Sequence, residues 1–190
     1  MYFSPLKMDG EYMKRYKVGD YLMHERSGVC RVCGISEEAL GGKGSEKLYY
    51  SLQPVFEKSS KVLTPVDSKV RMRDVMTREE TEELLSKVPS LPFIREKNPR
   101  AAAEIFREKI ETFDLYDLAT VVKTIYLRKQ LRLALGKKTM SSDEKIMASS
   151  GKRLFEEMAF ARKEEVSKTE NTFYLALKKE KDLFLQEIAE

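Results

Sequence analysis

Hydrophobic and polar positions follow two different patterns, which change over near residue 75. Before that point, short runs of apolar and aromatic residues are separated by turn residues, a pattern typical of β-strands. The predicted strands cover residues 21–23, 29–35, 47–55 and 61–65. Several short strands with turns between them indicate a small, strongly bent barrel rather than a βαβ unit.

Helix formers predominate after the strands, and local signals mark where the first helices begin. Thr77 followed by Glu80 is a capping box, which predicts the start of a short helix. Two prolines within residues 88–92 end that helix. Asn98 followed by Pro99 predicts a second start, because asparagine caps helices and proline suits the first helical position.

Three further helices follow from apolar periodicity and from a second capping signal. Apolar residues at intervals of three and four predict a long helix over residues 115–135, which Gly136 ends. Its buried stripe comprises Leu115, Leu118, Val122 and Ile125. Ser141 to Glu144 is a second capping box and predicts a helix through about residue 165. A last helix, from about residue 169 to 188, carries Phe173, Leu177 and Phe184 on one side.

These elements predict an α+β protein with a small β-barrel followed by an all-α domain. Residues 1–13 form an N-terminal extension in this division, and residues 14–75 form the barrel. A short helix and linker then cover residues 76–97, and the helical domain covers residues 98–190.

The positive charge is concentrated in one part of the chain. The 190 residues carry 35 basic and 31 acidic side chains, and a net charge of +4 is weak evidence for a nucleic-acid partner. Residues 121–153, however, hold nine basic and two acidic side chains. Phosphate binding needs such focusing, and a helix N-terminus in the same segment adds backbone donors. An ordinary solvated helix face is the alternative, since lysine is common at helix ends.

The sequence offers little chemistry for catalysis. His24 is the one histidine, and the pair Cys30 and Cys33 lacks the second pair of ligands that a structural zinc site needs. Residues three apart on a strand point to opposite faces, so we expect two ordinary strand cysteines. The glycine-rich segment 41–44 lacks the spacing of a phosphate loop and predicts a hairpin. We therefore expect no enzyme, no metal and no cofactor.

The chain has neither an apolar run long enough to span a membrane nor a secretory signal, so the cytoplasm is the expected compartment.

Several short motifs occur in an order that resembles a known family. They are YKVGD at residues 16–20, Gly28, LYYSL at 48–52, VLTPVD at 62–67, LATVVK at 118–123 and SSDEKIMASSGKR at 141–153. Their succession resembles the CarD/CdnL family of bacterial transcription regulators over roughly residues 14–165. The family's N-terminal domain is Tudor-like and is shared with transcription-repair coupling factors.

The resemblance implies two partners. The Tudor-like domain would bind the β subunit of RNA polymerase by placing a barrel edge against a strand of that subunit. The matching edge residues here are Lys61, Val62, Leu63, Thr64 and Pro65. The helical domain would contact promoter DNA near the upstream edge of the transcription bubble and stabilise the open complex.

The resemblance also assigns the DNA-binding positions. The family inserts a tryptophan wedge into the minor groove, but this chain contains no tryptophan and has Pro99 at that position. Lys145 matches a family DNA-contact lysine. The DNA-binding residues predicted from the resemblance and the charge cluster are Arg100, Lys137, Lys138, Lys145, Lys152 and Arg153.

The leading hypothesis is therefore a non-enzymatic, nucleoid-associated regulator that binds polymerase and contacts the DNA backbone without reading its sequence. It involves no membrane and no small-molecule substrate. A polymerase-binding protein–protein adaptor with little or no DNA binding is the alternative.

Overall fold

A computed structural model describes the backbone of residues 6–8 and 11–13 and, in full, residues 16–40, 42 and 44–182. The chain divides into two compact units, Met1–Val75 and Met76–Glu190. The first unit is built from strands and the second from helices.

The first unit contains a two-stranded hairpin and a five-stranded antiparallel sheet. The hairpin pairs β1 (Leu6–Met8) with β2 (Glu11–Met13). The sheet has the order β6-β5-β4-β3-β7. Its strands are β3 (Tyr21–His24), β4 (Gly28–Glu38), β5 (Lys47–Pro54), β6 (Val62–Pro65) and β7 (Met72–Asp74).

The four strands expected from the sequence are thus confirmed, whereas β7 was not predicted. Glu38 pairs with Lys47, which confirms the glycine-rich hairpin between β4 and β5. Gly41 and Lys43 within that hairpin lie outside the described residues, as do residues 1–5 of the predicted N-terminal extension.

The sheet is strongly curled around its core. The side chains of His24 on β3 and Thr64 on β6 are 3.1 Å apart and buried, although β4 and β5 lie between their strands in the sheet. A flat sheet would separate β3 from β6 by about 14 Å, three strand spacings. The expected strong bend is therefore present. The sheet is not closed, because no ladder joins β6 to β7 in the part of the chain that the structure describes.

The apolar core of the sheet unit collects side chains from strands and flanking segments. It comprises Tyr16, Leu22, Cys30, Val32, Tyr50, Leu52 and Val66.

The second unit contains five described α-helices and one short 3-10 helix. They are α1 (Arg78–Lys87), the 3-10 helix Val88–Ser90, α2 (Pro99–Glu111), α3 (Leu115–Ala134), α4 (Ser141–Arg162) and α5 (Val166–Ala176). Residues 178–182 are also helical. The expected start of the last helix near residue 169 lies three residues too late, and the prediction of one continuous helix is wrong, because α5 ends at its C-cap Leu177. The prediction for residues 183–188, with Phe184, lies outside the described residues.

Side-chain caps account for the starts of three helices. At α1, the Thr77 hydroxyl accepts from the backbone N–H of Glu80 at 3.1 Å, and the Glu80 carboxylate accepts from that of Thr77 at 2.7 Å. Asn98 caps α2 through its Oδ1, and Asp114 caps α3 in the same way. The capping box at Thr77 and the start at Asn98 are therefore confirmed.

The second predicted capping box, at Ser141, is wrong. The N-cap of α4 is Met140, and its side chain makes no cap hydrogen bond. The Met140 Sδ instead lies 3.5 Å from Nη2 of Arg128 on α3, and the Glu144 carboxylate accepts from the Thr139 hydroxyl. Ser141 is therefore the first helical residue of α4, and the residue before it contacts α3.

The core of the helical unit includes the segment that precedes α2. Met76, Leu84, Leu85 and Val88 are buried there, within the stretch that the sequence assigns to a short helix and linker. The rest of this core comprises Leu118, Ala119, Val122, Leu154, Phe155, Met158, Phe173 and Leu177. Among the described helices, none is long and apolar enough to cross a membrane.

Candidate functional site

The candidate polymerase-binding strand, β6, is an edge of the sheet. Its partner on one side is β5, with Leu63 opposite Ser51 and Thr64 opposite Tyr50. Lys61 and Leu63 are exposed, and Leu63 has 45% of its surface accessible. Thr64 is buried. The strand therefore presents an outward apolar side chain beside the backbone edge, while its inward side is fixed in the core.

His24 anchors that inward side. Its Nδ1 accepts from the backbone N–H groups of Arg26 at 3.3 Å and Ser27 at 3.1 Å. The proton is therefore on Nε2, which donates to the Thr64 hydroxyl at 3.1 Å. Burial, with a smaller effect of Arg26, lowers the pKa of His24. The neutral imidazole thus ties the β3–β4 turn to the edge strand.

The two cysteines differ in solvent exposure, as their spacing predicts. Cys30 is buried and Cys33 is exposed, which confirms that they point to opposite faces of β4. Burial raises the pKa of the Cys30 thiol to about 12. In the described part of the chain, no group of three or more His, Cys, Asp and Glu side chains is arranged to hold a metal ion.

The predicted DNA-binding residues occupy two places in the helical unit. Pro99 and Arg100 are exposed at the start of α2. The other predicted cations follow the turn from α3 into α4: Lys137, Lys138, Lys145, Lys152 and Arg153. The four lysines are exposed and Arg153 is half-buried. The Arg153 guanidinium lies 5.7 Å from the ring centre of Phe113.

Lys145 and Lys152 share one face of α4, since seven residues make almost two full turns. Ser149 is also exposed and lies between the two lysines on α4. Its hydroxyl donates to carbonyls of its own helix. Lys137 and Lys138 are exposed in the turn just before α4. We call Lys137, Lys138, Lys145 and Lys152 the basic face.

Part of the positive charge counted in the sequence is internal. The ammonium group of Lys123 is fully buried, donates to the carbonyls of Pro89 at 2.8 Å and Leu91 at 2.7 Å, and lies 2.7 Å from the Glu180 carboxylate. Arg128 forms an ion pair with Asp143 at 3.2 Å, and both side chains are mostly buried. Of the seven other cations in segment 121–153, five are exposed and two, Arg132 and Arg153, are half-buried; the one other acid, Glu144, is exposed.

A groove lies between α3 and α4 beside the basic face. It has a volume of about 240 Å³ and an apolar floor that includes Ile125, Met147 and Ala148. Lys129 and Arg132 line it from α3. Helix spacing already makes these two cations neighbours, since they are three residues apart on α3. Sequence reasoning did not assign them to the site, because the groove forms only where α4 packs against α3.

The sheet unit corresponds to a known protein-family model. Residues 16–76 match the model of the CarD-like/TRCF RID domain. This region is a CarD-like RNA polymerase-interacting domain. No curated protein matches the chain.

The CarD-like domain covers the sheet and ends just before α1. It contains β6 with the predicted polymerase-binding residues, and His24 with its partners. The resemblance inferred from motifs in residues 16–67 is confirmed for this part of the chain. The helical unit lies beyond the matched residues, so its DNA-binding assignments stay predictions.

Proposed function

We propose that the CarD-like domain docks on the β subunit of RNA polymerase through the edge of β6, and that the helical unit contacts promoter DNA. The single observation that carries the docking proposal is the position of Lys61–Pro65 at a sheet edge within an RNA polymerase-interacting domain. The domain match supports a transcription-associated protein. The described sheet has two edge strands, β6 and β7, and the residues that match the family's docking strand lie on β6.

Strand addition suits β6 for a physical reason. An edge strand has backbone donors and acceptors on its open side, and a partner strand can pair with them while side chains select the partner. Leu63 projects outward and is available for such selection. The hydrogen bond between His24 and Thr64 holds the strand in place before the partner arrives, which lowers the ordering cost of binding.

A charge placed on the open strand should disrupt docking. We expect Leu63→Glu in the full chain to weaken capture by purified polymerase β subunit, measured in a pull-down at fixed protein concentration. Val18→Glu is the matched control, because Val18 is an exposed apolar residue of the same unit that does not lie on β6. If both variants bind like the natural chain, β6 is not the docking edge.

The helical unit, in this proposal, lays the basic face along the phosphate backbone of promoter DNA. The support is the concentration of exposed lysines at the α3–α4 turn. Contacts with phosphates position a protein without reading sequence, so binding is expected to be salt-sensitive and independent of promoter sequence. Anchored by polymerase near the upstream edge of the bubble, such contacts would modulate the stability of the open complex in the nucleoid.

A second function, a polymerase-binding adaptor with little DNA affinity, is favoured by the start of α2. Pro99 stands at the wedge position, and Arg100 is the one cation in the first turn. The next residues are Ala101 and the buried Ala102. A mobility-shift assay with duplex DNA at about 50 mM salt, where phosphate contacts are strong, separates the two functions: the adaptor would give no shift.

A further inference from the structure

We propose that the groove between α3 and α4 binds a single unpaired nucleotide of DNA, with the base on the apolar floor and its phosphate against Lys129 and Arg132. This inference rests on the proposed DNA contact of the helical unit. It adds a binding site whose lining residues do not belong to α2, and it adds a preference for DNA in which a base has left the stack.

The groove has the size and lining for one ring system. Its volume of about 240 Å³ falls just below the roughly 300–1,000 Å³ of sites for drug-sized ligands. Met147 and Ala148 supply most of the apolar surface, since Ile125 is almost fully buried beneath them. Extruded bases are held by stacking between apolar or aromatic side chains, and the methionine thioether is polarisable and adapts its shape to a flat ring.

Charge complementarity selects a nucleotide over a neutral or apolar occupant. Lys129 and Arg132 both line the groove. Of the two acids that also line it, Asp143 pairs with Arg128, whereas Glu144 accepts from the neutral Thr139 hydroxyl and keeps its charge. The two cations from α3 outnumber this one carboxylate. The cations from α3 are therefore the groups most suited to hold an anion beside the apolar floor.

The position of Ala148 connects the groove to the basic face. Ala148 lies three residues after Lys145 and four before Lys152, so the three side chains are neighbours on one face of α4. A DNA backbone lying on those lysines passes next to the opening. A nucleotide that leaves the helix there has only to rotate about its own backbone to reach the floor, which is the movement that base-extruding proteins use.

Fluorescence anisotropy at low salt with three matched DNAs tests the proposal in the full chain. The DNAs are a perfect duplex, the same duplex with one bulged nucleotide, and the same bulge without its base. We expect at least about fivefold tighter binding to the bulge with its base than to the abasic bulge, the lower end of what one stacked base contributes. The two bulges carry equal charge, so this ratio reports the base alone.

Filling the groove should remove the difference in affinity between the two bulged DNAs. Ala148→Met adds volume at an exposed helical position with a residue that favours helices. We expect it to bring the ratio of the two bulge affinities to about one. Ser149→Met is the matched control, because it makes a similar change on the next residue of α4, which does not line the groove, and it should keep the ratio.

A direct readout comes from labelled methionine methyl groups. The signals of Met140 and Met147, which both line the groove, should shift with the bulge that carries a base and not with the abasic one. Equal affinity of the natural chain for both bulges, or an unchanged ratio in Ala148→Met, would overturn the inference and leave duplex binding standing. Absence of binding to all three DNAs would overturn the proposed DNA contact as well.

Discussion

Lys123 is a charged residue in the interior of the helical unit, and its replacement gives the sharpest test of how that unit is held together. Lys123→Met keeps most of the side chain's length and apolar stem but removes the ammonium group. Three partners then lose their donor: the carbonyls of Pro89 and Leu91 and the carboxylate of Glu180. The lysine joins the 3-10 segment, α3 and the helical residues after α5.

The expected cost follows from the burial of each partner. Breaking a buried ion pair by removing one member costs about 3–5 kcal/mol, and a hydrogen bond to a charged group contributes about 1.5–3 kcal/mol. Glu180 keeps 29% of its side-chain surface accessible, so water can replace part of what it loses. We therefore expect Lys123→Met to lower the free energy of unfolding by about 2–4 kcal/mol.

Urea unfolding followed by circular dichroism at the helical band measures this change, because every α-helix among the described residues lies in the second unit. Lys129→Met is the matched control: it makes the same chemical change at an exposed position of α3 and should stay within about 0.5 kcal/mol of the natural chain. A loss of less than about 1 kcal/mol in Lys123→Met would refute the reasoning, since the buried ammonium would then not hold the three segments together.

Three smaller predictions concern single groups. Burial lowers the pKa of His24, so the unfolded chain protonates first on acidification. The stability linked to His24 is therefore complete above about pH 6.5 and falls below it; a folded-state NMR titration midpoint above that value would contradict this. A thiol reagent at pH 8 should label only Cys33 in the native protein and also Cys30 in denaturant, because burial raises the pKa of Cys30 to about 12. Thr77→Ala should cost the helical unit about 1 kcal/mol in urea unfolding, and no loss would contradict the cap.

Elements with local signals were predictable from the sequence. The starts at Thr77 and Asn98 depend on side chains that bond to backbone groups two or three residues away, so the signal is contained in the adjacent residues. The four strands from residue 21 to 65 alternate with turns, and the structure has them there. The short strand β7 has only three residues, which are too few to show that alternation. It is defined by its pairing with β3, which lies far away in the sequence.

The candidate site was predictable in composition but not in arrangement. The sequence showed a basic segment, yet it could not show that Lys123 and Arg128 are internal, since burial depends on which helices pack against α3. One signal was available: Lys123 is the one charged residue in the run from Leu118 to Ile125, whose other members are apolar residues and threonines. The start of α4 was mispredicted because its N-cap, Met140, makes no side-chain cap hydrogen bond and so leaves no local signal.

The central claim, that the chain contacts DNA and polymerase through separate units, is tested most directly by a charge reversal on the basic face. Lys138→Glu with Lys145→Glu is compared with Lys58→Glu and Lys69→Glu, two exposed lysines of the sheet unit, so that both variants have the same net charge. Duplex affinity is measured against salt concentration, and capture by polymerase β subunit is measured in parallel.

We expect the variant of the basic face to lose duplex affinity, with a salt slope smaller by about two, one for each phosphate contact removed, while its capture by the β subunit is unchanged. The control pair should keep both the affinity and the slope. Equal duplex affinity of the two variants at every salt concentration would contradict the claim.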